Sequence, residues 1–456
     1  MKKILLTLFG IFFLYQVSFA ALAATTVWEV RTTGNSANGA GFNASRDAVN
    51  GVDYSQQDTA QLSLTDLAMT TGGTTLTSTT GGFTHAMEGN LIYIASGTNF
   101  TAGYYEIVTY TNTNTVTLDR DATAGSNGSS GSGKVGGASN HPNTISLSLV
   151  TDNIVYIASG TYIKVGANAY VLSCPAVMVS YIGYTGSRAT AFGTNRPLFD
   201  GGGNTTNCLL SQGANYRNLR FANATGDNVV MTDGSVFFNC KSSSAGGDGF
   251  DSANTAGRGW YDCEVNNNGG WGIRGTNNPP NLQFCYIHDN TSGGEMTDRG
   301  DTNPSHLYNV FESNSGNGCQ GIGNNGPSGH FIGNIAYNNT GGSTDGFVFS
   351  GNQNDGLVVI RNNISMNNGR YGFNYDGSVT LKERFLIFDY NLYYGNGTAG
   401  LYQITAGAHD LTSDPLFTAP TANPPDFTLQ AGSPCLNAGF PDSSWAANVG
   451  LASGNY

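Results

Sequence analysis

Apolar and polar positions alternate over short stretches along this chain, and from about residue 215 the stretches recur as a rung. Each rung has an Asn or Asp, an apolar residue, several polar residues rich in Asn, then Gly and a second apolar residue. The first apolar position gives Leu219, Cys240, Cys263, Cys285, Val310, Ile335, Ile364 and Leu392, spaced 21 to 29 residues apart. The second gives Phe250, Ile273, Met296, Cys319, Phe347, Phe373 and Leu401, spaced 23 to 28 apart. A period of this size without helical patterning predicts a solenoid of short strands, in which one rung buries its apolar residues only by stacking on the next.

The pattern divides the chain into four parts. Residues 1–23 read as a signal peptide: Lys2 and Lys3 precede a mostly apolar run, Ile4–Val17, and small residues follow at Ser18/Ala20 and Ala21/Ala23. The run is too short for a membrane span, and an exported chain at the cell surface or outside the cell is expected. Residues 24–140 form an N-terminal β module, with alternating runs at Leu91–Ala95, Tyr104–Tyr110 and Thr115–Leu118. Within this part, Gln57–Met69 reads as a short helix, and the Gly/Ser-rich stretch Ala124–Asn140 reads as a linker or long loop. Residues 141–409 are the solenoid. Residues 410–456 are a C-terminal cap, which a solenoid needs to cover its last strand edges.

Composition adjusts the picture in three places. Sixty-four glycines would fit disorder, but 11% aromatic residues argue for a packed core. A net charge of −12 argues against nucleic acid as a partner. Seven cysteines in an exported chain suggest disulfides, but the number is odd, and Cys240, Cys263, Cys285 and Cys319 occupy ladder positions that otherwise hold large apolar residues. They are expected to be buried thiols acting as small hydrophobes. No CxxC pair or His cluster suggests zinc.

Asn recurs just before the first ladder (Asn218, Asn239, Asp262, Asn309, Asn334, Asn363, Asn391) and four residues after it (Asn267, Asp289, Asn314, Asn339, Asn368, Asn396). Asn tolerates left-handed turns, and its amide can bond the same amide one rung on, so these positions read as structural stacks. Tyr394 falls in a column with Phe221, Val265, Ile287, Tyr337 and Met366 that reads as core. Glu312 shares that column, so a local bulge is expected there, because a buried unpaired carboxylate is costly.

The rungs, of the form NxxxxxNxxxGF, and the closing DPLF…DFTLQAGSPCLNAG resemble a family of secreted bacterial right-handed parallel β-helix proteins that shares its fold with pectate lyases. The resemblance covers about residues 144–440. The stretch GNLIYIASGTNFTAGYYEIVTYTNTNTVTLDRDA resembles a small β module found ahead of such helices. The resemblance implies an all-β chain: a right-handed parallel β-helix solenoid with a small N-terminal β module and a C-terminal cap.

It also implies where chemistry should be sought. In β-helix lyases carboxylates hold Ca²⁺ against an acidic sugar, and a basic residue removes the proton alpha to the sugar carboxylate. The rung after Leu282 is the most deviant from the repeat, carrying His288-Asp289 and Glu295-Met296-Thr297-Asp298-Arg299-Gly300-Asp301, and departures from a structural rule are where function is expected. With Met296 facing the core, period-two alternation turns Glu295 outward. Glu295, Asp298 and Asp301 are then candidate calcium ligands, and Arg274, Arg299 and His288 candidate catalytic residues. Asp251 precedes Arg274 by one 23-residue step and joins Trp271, Tyr371, Lys382 and Arg384 as candidate substrate-binding residues. Against this stands a plain surface reading, in which Asp251–Arg274 is a solvated pair. Gly247-Asp248-Gly249-Phe250-Asp251 is similar to part of the polygalacturonase active site, but the paired Asp and Gly-His-Gly that should follow are missing. The expectation is an exported carbohydrate-active protein that binds or cleaves a polysaccharide or cell-surface glycan along the lateral face of the helix, lyase-like if catalytic. The competing expectation is a non-catalytic structural or adhesive rod.

Overall fold

The computed structural model describes residues 22–46, 51–188, 195–253, 259–276, 280–297, 305–322, 329–349, 357–376 and 386–440. The chain coils into a parallel β-helix of three sheets, as the rungs predict. Sheet I has twelve strands, running from Gly41–Asn43 and Thr26–Val30 through Ile154–Ala158 to Leu386–Asp389. Sheet II has ten, from Thr161–Ile163 to Leu392–Tyr394. Sheet III has ten, from Tyr170–Ser173 to Ala399–Tyr402.

Each sheet sends one column of side chains inward. Sheet I contributes Trp28, Val155, Tyr181, Tyr216, Phe237, Trp260, Leu282, His306, Phe331, Ile360 and Phe388 in register. Consecutive rings stack, as between Tyr216 and Phe237 at 4.7 Å and 11°, a spacing that follows from the ~4.8 Å separation of strands. Sheet III contributes Val229, Phe250, Ile273, Glu295, Cys319, Phe347, Phe373 and Leu401. Just before each member from Phe250 to Phe373 stands a glycine: 249, 272, 294, 318, 346 and 372. A Cβ on any of them would lie within 2.7 Å of the carbonyl oxygen of the corresponding glycine one turn on. Side chains are excluded there by the close approach of successive turns.

The second ladder therefore holds Glu295, not Met296. The first ladder also shifts by one residue. Val310 pairs with Tyr286, so Cys285 stands level with Asn309, and its backbone N–H donates to Asn309 Oδ1 at 2.9 Å. The left-handed residue of each turn is Asn218, Asn239, Asp262, Phe284, Tyr308, Gly333, Asn362 and Tyr390. The inward residue that follows is Leu or Cys in the early turns and Asn in the late ones. Asn309, Asn334, Asn363 and Asn391 then form an amide ladder at 2.9–3.0 Å, and a second ladder runs from Asn268 through Asn290, Asn314, Asn339 and Asn368 to Asn396. The predicted stacks are present, but their early members lie one residue off the frame drawn from sequence.

The inward column of sheet II is Phe221, Ser242, Val265, Ile287, Phe311, Ala336, Ser365 and Tyr393. Phe311 fills the place expected for Glu312, which faces outward beside His288 and Tyr337 without a bulge. Tyr394 likewise lies outside, 38% exposed. The outer face of sheet II changes along the rod. Its early turns carry Arg220, Lys241 and Glu264; later turns carry Val310, Ile335, Ile364 and Leu392. Residues 410–440 cover this apolar half. Leu411 first bridges to the last strand at Leu392, and Phe417, Phe427 and Cys435 then pack back along Val310, Ile335, Ile364 and Leu392. The cap thus covers a side of the rod as well as its end. All seven cysteines are buried free thiols.

Residues 62–135 form a closed six-stranded barrel, set between the first solenoid strand, Thr26–Val30, and the next, Ile154–Ala158. Leu62–Met69 is a strand of that barrel, not a helix: a bulge between Leu64 and Leu67 places both side chains in the core and imitates a helical three-residue spacing. Gly128–Val135, within the stretch expected to be a linker, is also a barrel strand. Its glycines answer to crowding, since a Cβ at Gly128 or Gly131 would meet Phe100 at 2.7–2.8 Å and one at Gly133 would meet Leu67 at 2.8 Å.

Candidate functional site

Sheet III's outward column carries Val230, Asp251, Arg274, Met296 and Gln320 in register. Asp251 and Arg274 stand side by side, as the 23-residue step predicts. Asp248, at the corner leading into the sheet, joins them: its Oδ2 lies 3.7 Å from Arg274 Nη1. Its Oδ1 accepts the backbone N–H of Trp271 at 2.6 Å, and its own N–H donates to Asp227 Oδ1 at 2.6 Å. Burial, reinforced by Asp227 and Asp251, pushes the Asp248 carboxyl up to about 6. Burial, with Asp227 again, raises Asp251 as well. The Arg274 side chain remains 43% exposed, and its Nε has no hydrogen-bond partner among the described residues. The result is a guanidinium with donor capacity to spare, beside carboxyls held toward their protonated form.

Trp271 begins the Arg274 strand and is half-buried, its ring lying over Gly293, where a Cβ would come within 2.1 Å of it. Tyr371 lies several turns away. It stacks on the exposed Tyr402 at 4.6 Å, and the Arg370 guanidinium sits 4.9 Å over its ring. Arg370 is itself anchored to the buried Asp345 at 2.8 and 2.5 Å. This gives a fixed, partly open aromatic pair.

The structure separates the other expected members. His288 faces outward from sheet II, away from Arg274, and works in an ion network there. Its ring stacks on Tyr286 at 4.0 Å and lies 2.7 Å from Asp289 and 3.6 Å from Glu264. Burial opposes ionisation of Glu264, but the nearby His288 ring and the Lys241 ammonium, which donates to it at 2.6 Å, outweigh it and hold the carboxyl near 2. Glu295 was expected outside and points into the lumen with no exposure, because Gly294, not Glu295, occupies the glycine column. It accepts from Thr297 Oγ1 at 2.7 Å and Cys319 Sγ at 3.2 Å, and lies 3.7 Å from His306 Nε2. Arg299, Asp298, Asp301, Lys382 and Arg384 lie outside the described residues.

Calcium takes six to eight oxygen ligands. Of the candidate calcium ligands, Glu295 is turned inward, and Asp298 and Asp301 lie outside the described residues; the carboxylates described on this face, Asp227, Asp248 and Asp251, do not gather into a three-ligand group.

Two features escaped the sequence reading. Asp227 was not singled out, and nothing in its local sequence distinguishes it. His306 was also missed, but aligning the rungs on the glycine column alone would have placed Glu295 inward and directed attention to polar residues beside it.

No family model and no curated protein sequence matches the chain. Among solved structures, the chain is similar to the pectate lyase Pel9A, at 13% identity over 69% of this chain and 90% of that one, with a TM-score of 0.49. It is also similar to a rhamnogalacturonan lyase, at 11% identity over 62% of this chain and 86% of that one, TM-score 0.45. The A-module of the Azotobacter vinelandii mannuronan C-5 epimerase AlgE4 matches at 13% identity over 57% and 91%, TM-score 0.34. Identities this low assign no role to any residue. No helix among the described residues is long and apolar enough to cross a membrane.

Proposed function

We propose that this is an exported carbohydrate-active β-helix protein that engages an acidic polysaccharide across the outer face of sheet III, with lyase-like chemistry if it cleaves. The observation that carries this reading is the half-exposed Arg274 beside Asp248 and Asp251. A uronate carboxylate can take the free donors of Arg274 in a charge-assisted pair. Asp248, titrating near 6, is suited to exchange a proton with a sugar oxygen at neutral pH. Tyr371 and Tyr402 offer a stacking platform further along the same sheet.

A second reading, a non-catalytic binding or structural rod, is favoured by one specific observation. Asp227 and Asp248 accept the next turn's backbone N–H just as Asn207, Asn317 and Asp345 do at the same corner, which is a structural duty.

The deciding experiment incubates the purified protein with pectate, alginate and glycosaminoglycans, with calcium and with chelator, and follows ultraviolet absorbance of unsaturated uronate products. A rise that Arg274→Ala abolishes establishes a lyase centred on this face. Binding without a rise, weakened by Arg274→Ala, establishes the binding rod. Neither rise nor binding on any of these polymers removes acidic polysaccharides from the reading.

A further inference from the structure

The lumen of a β-helix is the part of the molecule least suited to polar groups, yet at one level three of them meet. Glu295 and His306 belong to successive strands of one turn, Gly293–Thr297 and Ser305–Leu307, and Cys319 stands next to Glu295 on the following turn. All three are buried, at 0%, 0% and 1% exposure. Their neighbours in the inward columns are Ile273, Phe347, Leu282 and Phe331.

A carboxylate in such surroundings is costly unless a counter-charge or a proton accompanies it. Among the described residues no Lys or Arg reaches Glu295. Nor does His306 settle the matter. Its Nε2 is 3.7 Å from Glu295 Oε2, beyond hydrogen-bond distance, and neither ring nitrogen has a hydrogen-bond partner among the described residues. The ring is held in place, stacked on Phe331 at 4.6 Å and 15°. It is an oriented, unpartnered ligand.

We propose that Glu295, His306 and Cys319 form a lumenal binding site for a divalent transition-metal ion of the zinc type, taken up as the coils close. One carboxylate oxygen, one imidazole nitrogen and one sulfur lie within 4.8 Å of one another. Zinc–ligand bonds of about 2.0–2.3 Å in a tetrahedron place donor atoms about 3.3–3.6 Å apart. The observed edges from Glu295 Oε2 are 3.2 Å to sulfur and 3.7 Å to nitrogen. Too far apart for good hydrogen bonds in one case and close in the other, they are both near the edges of a coordination polyhedron. Thr297 Oγ1, bonded to the other carboxylate oxygen, fixes the orientation of Glu295 as an outer-shell partner. The mixed O, N, S set selects zinc-like ions over calcium or magnesium, which take oxygen. On coordination the Cys319 thiol gives up its proton to solvent. Uptake therefore releases a proton. This site is separate from the outer face proposed to meet polysaccharide.

The test refolds the full chain from denaturant in the presence of cobalt(II), of zinc(II) or of chelator, followed by desalting. The expected result is one cobalt per chain, with a thiolate-to-cobalt charge-transfer band, and a higher melting temperature than the chelator-refolded sample. Cys319→Ser should remove the charge-transfer band and His306→Gln should lower the stoichiometry, while Cys435→Ala, at a buried thiol in the C-terminal lobe, should change neither. Should a variant not fold, X-ray absorption of the wild-type cobalt protein decides, since the proposal requires one sulfur scatterer near 2.3 Å. A natively folded wild type that retains no metal, or a first shell of oxygen and nitrogen alone, overturns it.

Discussion

Among the described residues two glutamates, Glu29 and Glu295, have no exposed surface, and they are buried in opposite ways. Glu29 lies on the first solenoid strand. The Nε atoms of Arg31 and Arg188 each reach it at 2.7 Å, and the Tyr184 hydroxyl donates to it. Arg188 continues to Asp53 at 2.8 Å and Ser55 at 3.1 Å, so the network also ties residues 53–55 to the rod. Glu295 lies in the lumen with a hydroxyl, a thiol and an imidazole around it, and no described Lys or Arg. The same residue type at the same burial is stabilised by the chain's own counter-charges in one place and lacks them in the other. The difference shows that burial does not by itself define a structural glutamate; what defines it is whether its charge is balanced by the chain.

The largest effect should come from breaking the balanced site. Glu29→Leu takes the buried carboxylate from both guanidiniums and from the Tyr184 hydroxyl, leaving Arg188 with Asp53 and Arg31 with Asp58, and should lower stability by about 3–5 kcal/mol, read as the guanidinium chloride midpoint. The same replacement at Glu295, measured in chelator, should leave stability unchanged or raise it by about 1–4 kcal/mol, because it restores an apolar column. Equal losses at both positions would erase the contrast. The outer face should respond differently from either buried site: Arg274→Ala should weaken polysaccharide binding by about 1.5–3 kcal/mol, measured calorimetrically, with a stability change within about 0.5 kcal/mol. The last effect is a slope across pH, not an offset at one pH. Asp248 is raised in the folded state to about 6 from an ordinary 3.8. Its contribution to stability is therefore complete below about pH 4 and is lost as the pH rises through about 6. Asp248→Asn should flatten the dependence of the denaturation midpoint over that window, and an unchanged slope would mean that Asp248 titrates normally.

Much of the fold was legible because it rests on a repeated steric requirement. Phe250, Ile273, Cys319, Phe347, Phe373 and Leu401 were all placed in the correct inward column. The turn that failed is the one with two adjacent glycines, Gly293 and Gly294, where the frame slips by one residue and turns Glu295 from outside to inside. The first ladder slipped for a related reason. Its left-handed position is set by backbone geometry and accepts Phe284 and Tyr308 as well as Asn, with those two rings stacked at 5.7 Å, so residue type alone did not mark it. The barrel was misread where crowding and flexibility call for the same residue: glycine opposite Phe100 and Leu67 looks like linker. Of the site, the Asp251–Arg274 pair followed from repeat spacing, whereas the meeting of Glu295, His306 and Cys319 depends on which way each strand faces.

The amide ladder from Asn309 to Asn391 has one further consequence. Each side-chain amide donates to the oxygen of the next, so the series has a direction, and it is closed by a residue of another kind: the backbone N–H of Asn391 donates to Asp410 Oδ1 at 2.9 Å. A carboxylate has no amide hydrogen to pass on, so the series stops there. Asp410 thus acts as the terminator of the ladder that runs through the late turns. Duplicating one whole turn upstream of Asp410 should yield a rod longer by one strand spacing, ~4.8 Å, with both ends unchanged.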